Sequence, residues 1–133
     1  MAYRYHIDPD SKTVLISFSG HSSMAEAISL RHELRSDPLF RSTLNELVDL
    51  GRLTSSESTY DDFAMRGAEG DPFCRDSRRA IVAPTEFSYG MARMYAASRD
   101  EDGVFGVFRS VQTACEWLGL DETAVRGILQ SEG

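Results

Sequence analysis

The chain reads as an α/β domain: an open mixed β-sheet entered through an antiparallel hairpin and continued by parallel crossovers. About four helices pack on the sheet, and a short helix follows at the C-terminal end. Three observations predict this. Tyr3, Tyr5 and Ile7 alternate with Arg4, His6 and Asp8, and Val14, Ile16 and Phe18 repeat the two-residue period after a turn. Beyond residue 22, helical spacing and short extended apolar runs take turns, the pattern of parallel crossover units. Finally, 133 residues with 41% hydrophobic and 26% charged side chains suffice for one core and not for two. The domain therefore spans 1–133, with its core over 3–119 and a helical extension over 120–133.

Taken in order, residues 3–19 form the hairpin, turned by Asp8-Pro9-Asp10-Ser11-Lys12 and ended by Gly20. Ser23 and Glu26 have capping-box spacing, and Met24, Ala27, Ile28, Arg31 and Leu34 follow on one helical face, with the Arg31 stem laid along it. The helix stops near Ser36, because Pro38 disfavours helical geometry at Asp37. Leu39 and Phe40 pack as the chain crosses back to a buried strand over Leu44–Leu50. A polar loop, Gly51–Ser56, then feeds a second helix from about Ser58 to Ala68, with Tyr60, Phe63, Ala64 and Gly67 on one side.

The stretch GAEGDPFCRD is a loop. Arg79–Ala83 is a short strand of the kind buried on both faces, closed by Pro84. A third helix over Phe87–Ser98 shows Phe87, Met91, Met94 and Tyr95 on one face, widened by Ala92 and Ala96. Gly90 weakens it by about 1 kcal/mol relative to alanine, which fits close packing against a neighbour. Val104–Phe108 is the last strand. Ser110 caps a helix with Val111, Ala114, Cys115 and Leu118 at i, i+3, i+4 and i+7, and Asp121 caps a terminal helix with Ile128 and Leu129 inward.

Composition excludes several function classes. The net charge of −7 repels phosphate backbones and argues against nucleic-acid binding, and Arg75-Asp76-Ser77-Arg78-Arg79 reads as solvated surface. No apolar run is long enough to span a bilayer, and MAYRYHIDPD lacks the apolar core of a signal peptide, so a cytoplasmic location is expected. Cys74 and Cys115 have no metal or redox spacing and are expected as free thiols. His6, His21 and His32 show no metal-ligand spacing either. No phosphate-binding glycine loop and no nucleophile elbow are present, and Asp49 at a strand end has no identifiable partner. Neither a cofactor nor an enzymatic activity is expected.

Four stretches in this order, the hairpin ending ISFSG, then LVDLGRLTS, IVAPTEFSYGMARMYAA and VFGVFRSVQTACEWLG, resemble the STAS fold of anti-sigma-factor antagonists. They resemble more closely its uncharacterised bacterial SpoIIAA-like branch, sometimes grouped with SEC14-type lipid-binding domains. The tail after Leu120 lies outside the resemblance. For the anti-sigma antagonists the resemblance implies phosphorylation of a serine where the helix after the central strand begins. Here that makes Ser58 the candidate phosphoacceptor, with Ser55 and Ser56 just before it. Glu57 stands where that family has aspartate, and Thr59 and Tyr60 stand where small residues are usual. Ser58 with Asp61 also has capping-box spacing, and a phosphate there would sit among Glu57, Asp61 and Asp62.

Two roles follow as expectations. The first is a non-enzymatic regulatory module acting through contacts with another protein or a second copy of itself, at residues 51–62 and the third helix. The second is a carrier of a small lipophilic molecule between the second and third helices, in an apolar pocket of Phe63, Phe87, Met91, Met94 and Tyr95, with Phe73 and Tyr89 nearby. Arg52, just past the central strand, is the candidate anion contact, and a solvated arginine is the commoner case at such a position. Helix-face residues of this kind are more often plain core, since methionine commonly fills irregular gaps in packing, and the aromatic and methionine set reads that way first.

Overall fold

The computed structural model describes residues 3–57, 71–98 and 104–130. The helix expected over 58–68 lies outside them, as do Ser58 and Phe63. The observed fold is α/β, with five strands in sequential order: β1 (Tyr3–Asp8), β2 (Thr13–Ser22), β3 (Asn45–Ser56), β4 (Arg78–Val82) and β5 (Val104–Phe108). β1 and β2 are antiparallel, and every later pair is parallel. The hairpin turn is held by the Asp8 carboxylate, which accepts from the Asp10 N–H and the Ser11 hydroxyl.

Side-chain alternation divides the sheet into two faces. One carries Val14, Ile16, Val48, Ile81 and Ala83 under helices α1 (Met24–Ser36) and α2 (Glu86–Ser98). The other carries Leu15, Leu47, Ala80 and Val82 under α3 (Val111–Leu118) and α4 (Glu122–Gln130). In a sheet whose strands follow one another in chain order, right-handed crossovers all fall on one side. The second face must then be covered by whatever follows β5, and α3 with α4 does this.

The helix starts follow their caps. Ser23 Oγ accepts from the Glu26 N–H, and Ser110 Oγ accepts from the Thr113 N–H. Asp37 is extended ahead of Pro38 and ends α1. Gly119 takes the left-handed conformation that closes α3, at φ 74°. The start of α2 uses a box with no acid in it: Ser88 N–H donates to Thr85 Oγ1, and Thr85 N–H donates to Ser88 Oγ.

Several sequence expectations need correction. Gly51–Ser56 is not a loop; β3 runs on to Ser56 beside β2, which itself continues past Gly20 to Ser22. The pairing shifts twice, between Ser17/Ser19 and between Gly20/His21, so β3 carries two extra residues. Each bulge reverses which face the next residue meets, which hides the strand's period. Gly20, at φ 68°, supplies the left-handed backbone beside the second shift. In α1 the buried residues are Leu30 and Leu34, while Ile28 is exposed. Leu39 is exposed as well, but Phe40 packs edge-on against Phe73, with ring centroids 5.3 Å apart.

Candidate functional site

A cavity of about 150 Å³ opens between α1 and α2 over the centre of the sheet. Its floor is Ile16 and Phe18 of β2, Val48, Leu50 and Leu53 of β3, and Ile81 of β4. Its walls are Leu30 and Leu34 of α1, Met91, Ala92 and Tyr95 of α2, and Phe73. The bulges of β3 matter directly here. Leu50, Leu53 and Ser56 all line the cavity although they are three residues apart, a spacing that a regular strand would divide between its two faces.

One end of this apolar space is charged. Arg79 of β4, 3% exposed, stands opposite its register partner Glu46 of β3, and both line the cavity. Arg79 Nε donates to Glu46 Oε1 at 3.0 Å, and Nη1 donates to Asp71 Oδ2. The guanidinium carbon lies 4.5 Å from the ring centre of Phe73 and 4.8 Å from that of Phe105. Burial alone would lower its pKa, but Glu46, Tyr95 and Asp71 beside it outweigh that and hold it above its ordinary value. Arg79 is therefore not part of a solvated basic cluster, as its neighbours Arg75-Asp76-Ser77-Arg78 suggested. Its signal in the sequence was a pair of opposite charges, Glu46 and Arg79, each inside an apolar strand. A charge in such a strand must find a partner across the ladder.

The candidate pocket residues are only partly brought together. Phe73, Met91 and Tyr95 line the cavity, whereas Met94 does not, and Phe87 is 42% exposed at the start of α2. The cavity also opens toward α1, a neighbour the sequence reading did not assign to it. Tyr89 is not on its wall; it packs beside Ile81 under the Arg109 guanidinium, which lies 3.8 Å from the ring centre.

At the carboxyl ends of β2 and β3 a polar rim adjoins the cavity. Ser55 Oγ is hydrogen-bonded to His21 Nδ1 at 2.7 Å, His21 Nε2 lies 3.5 Å from Glu57 Oε2, and Glu57 Oε1 accepts from the Met24 N–H. Ser55, one of the candidate phosphoacceptors, thus has a histidine neighbour that sequence spacing did not reveal. Ser56 lines the cavity. Arg52 is exposed on β3 opposite Ser19. Asp49 accepts from the Gly51 N–H at 2.9 Å, which gives that carboxylate a structural partner. Among the described residues no group of His, Cys, Asp and Glu side chains could hold a metal ion, and no helix is long and apolar enough to cross a membrane.

No family model matches the sequence, and no curated protein matches it. Among solved structures, the chain is similar to an uncharacterised protein of the DUF3478 family with a SpoIIAA-like fold from Shewanella loihica. The identity is 19%, the match covers 88% of this chain and 94% of that one, and the TM-score is 0.59. At that identity the likeness is one of fold. This chain, with its antiparallel hairpin leading into parallel strands in sequential order and helices on both faces, has a SpoIIAA-like fold.

Proposed function

We propose that this SpoIIAA-like module is a non-enzymatic binder of a small, mostly apolar molecule, held between α1 and α2. The observation that carries the reading is the cavity itself. Protein interiors are close-packed with few voids larger than a water, and here about 150 Å³ lies over the middle of the sheet, walled mostly by aliphatic and aromatic side chains. Apolar cavities of about this size take up benzene-sized molecules. The test is thermal unfolding with toluene, followed by amide shifts in NMR spectra. Toluene is expected to raise Tm in wild type and to shift Leu30, Ile81 and Tyr95, and Ala27→Phe, which fills the cavity, is expected to abolish both effects. Absence of any shift in wild type at saturating toluene overturns the reading.

Regulation through protein contacts is a second reading, supported by the rim at the carboxyl ends of the strands. Gly51 lies beside Pro84, since a methyl group on it would be 3.7 Å from Pro84 Cγ. This brings exposed Arg52 and Pro84 into one neighbourhood, and Phe87 is exposed three residues after Pro84. If the rim mediates self-association, sedimentation velocity is expected to show a dimer that Phe87→Asp converts to monomer. A monomer at every concentration argues against that form of the reading.

A further inference from the structure

We propose that the cavity selects a neutral molecule bearing a hydrogen-bond acceptor, a carbonyl oxygen above all, and that Arg79 Nη2 is the donor that recognises it. The proposal rests on the reading of the cavity as a small-molecule site. A guanidinium has five N–H donors. Nε of Arg79 is spent on Glu46 and one N–H of Nη1 on Asp71, and the rings of Phe73 and Phe105 stack close to the guanidinium. That leaves Nη2 with no hydrogen-bond partner among the described residues, on a side chain only 3% exposed that lines the cavity. Buried donors are almost always satisfied, and an unmade bond at a charged group is the costliest kind.

Charge decides what fits there. The positive charge of Arg79 is already matched by Glu46, with Asp71 alongside. Arg31, the other cation on the cavity lining, has an interaction of its own, so at the Arg79 end an incoming anion meets the Glu46 and Asp71 carboxylates, and a cation would compete with the guanidinium for them. A neutral acceptor takes the open N–H edge and disturbs neither pair. Size sets the rest: about 150 Å³ holds one ring or a short branched chain. The chemical class is thus a small neutral ketone, ester, lactone or amide whose apolar body lies against Ile16, Leu30, Leu34 and Ile81.

The experiment compares three ligands of one shape on the intact protein: ethylbenzene, acetophenone and benzoate. Acetophenone is expected to bind about tenfold or more tightly than ethylbenzene, as for a hydrogen bond to a charged donor, and benzoate more weakly than acetophenone. The infrared carbonyl stretch of bound acetophenone is expected at lower frequency than in hexane. Equal affinity for acetophenone and ethylbenzene, an unshifted carbonyl band, or tighter binding of benzoate overturns this proposal while the cavity remains a binding site. Failure of all three ligands to bind overturns the cavity reading itself.

Discussion

Arg79 shows how one side chain fixes the chemistry of its surroundings. Removing it leaves Glu46 and Asp71 as buried carboxylates without their cation, so Arg79→Met is expected to destabilise the fold by about 3–5 kcal/mol, measured by urea unfolding. The Arg79→Met/Glu46→Leu double variant should recover part of that loss, and no recovery would place the effect in the lost ring stacking. Tyr5 gives a pH signature. Burial, then its hydrogen bond to Asp37, pushes its hydroxyl up to about 12, above the ordinary tyrosine value of about 10. The unfolded chain therefore loses this proton first. The contribution is complete below about pH 10 and disappears as the pH rises through about 12. Tyr5→Phe is expected to flatten the alkaline fall in stability over that window, and parallel curves for the two proteins would refute the assignment. The cysteines differ in the same local way. Hydrogen bonding to Ser77 lowers the Cys74 thiol, while burial raises that of Cys115. Iodoacetamide is expected to label Cys74 in the native protein and Cys115 only after unfolding, as read by peptide mass spectrometry. The residue types were plain in the sequence, but their partners were not. Tyr5 meets Asp37 and Arg79 meets Glu46 across more than thirty positions, a separation no local pattern encodes.

Among the elements, those whose evidence is local were legible. The hairpin, the Ser23 and Ser110 caps and the apolar stripe Val111, Ala114 and Cys115 all stand as spacing predicts. Ser110→Ala is expected to lower stability by about 1 kcal/mol, since the Thr113 N–H loses its acceptor. The far half of β3 was illegible for a specific reason. Gly51–Ser56 is held extended by pairing with β2, not by its own preference, and two bulges erase its alternation. α2 stands where spacing predicts, and the structure turns only part of its expected apolar face inward. Ser88 and Ala92 are the residues it buries, Phe87 is left outside, and Met91, Ala92 and Tyr95 of the expected face reach the cavity. Hydrophobicity ranks side chains, whereas close approach of a helix to a sheet selects small ones.

Over the whole molecule, the segment outside the family resemblance has a definite task. Val125 and Leu129 of α4 are buried against the sheet face of Leu15 and Leu47, and Arg4 Nη2 donates to the Leu129 carbonyl. Leu129→Ala is expected to cost about 2–5 kcal/mol in chemical unfolding, as for other buried leucines. A change below about 1 kcal/mol would mean that α4 is dispensable to the core. By itself the sequence determined the order of the described strands and helices, because hydrophobic period, caps and chain breakers act over a few residues. Only the tertiary structure decided that a void stays open between α1 and α2, that bulges turn Leu53 into it, and that Arg79 stands at its end. Those features depend on how separately specified elements meet, and the packing of surfaces from distant parts of the chain leaves no periodic trace in any one of them.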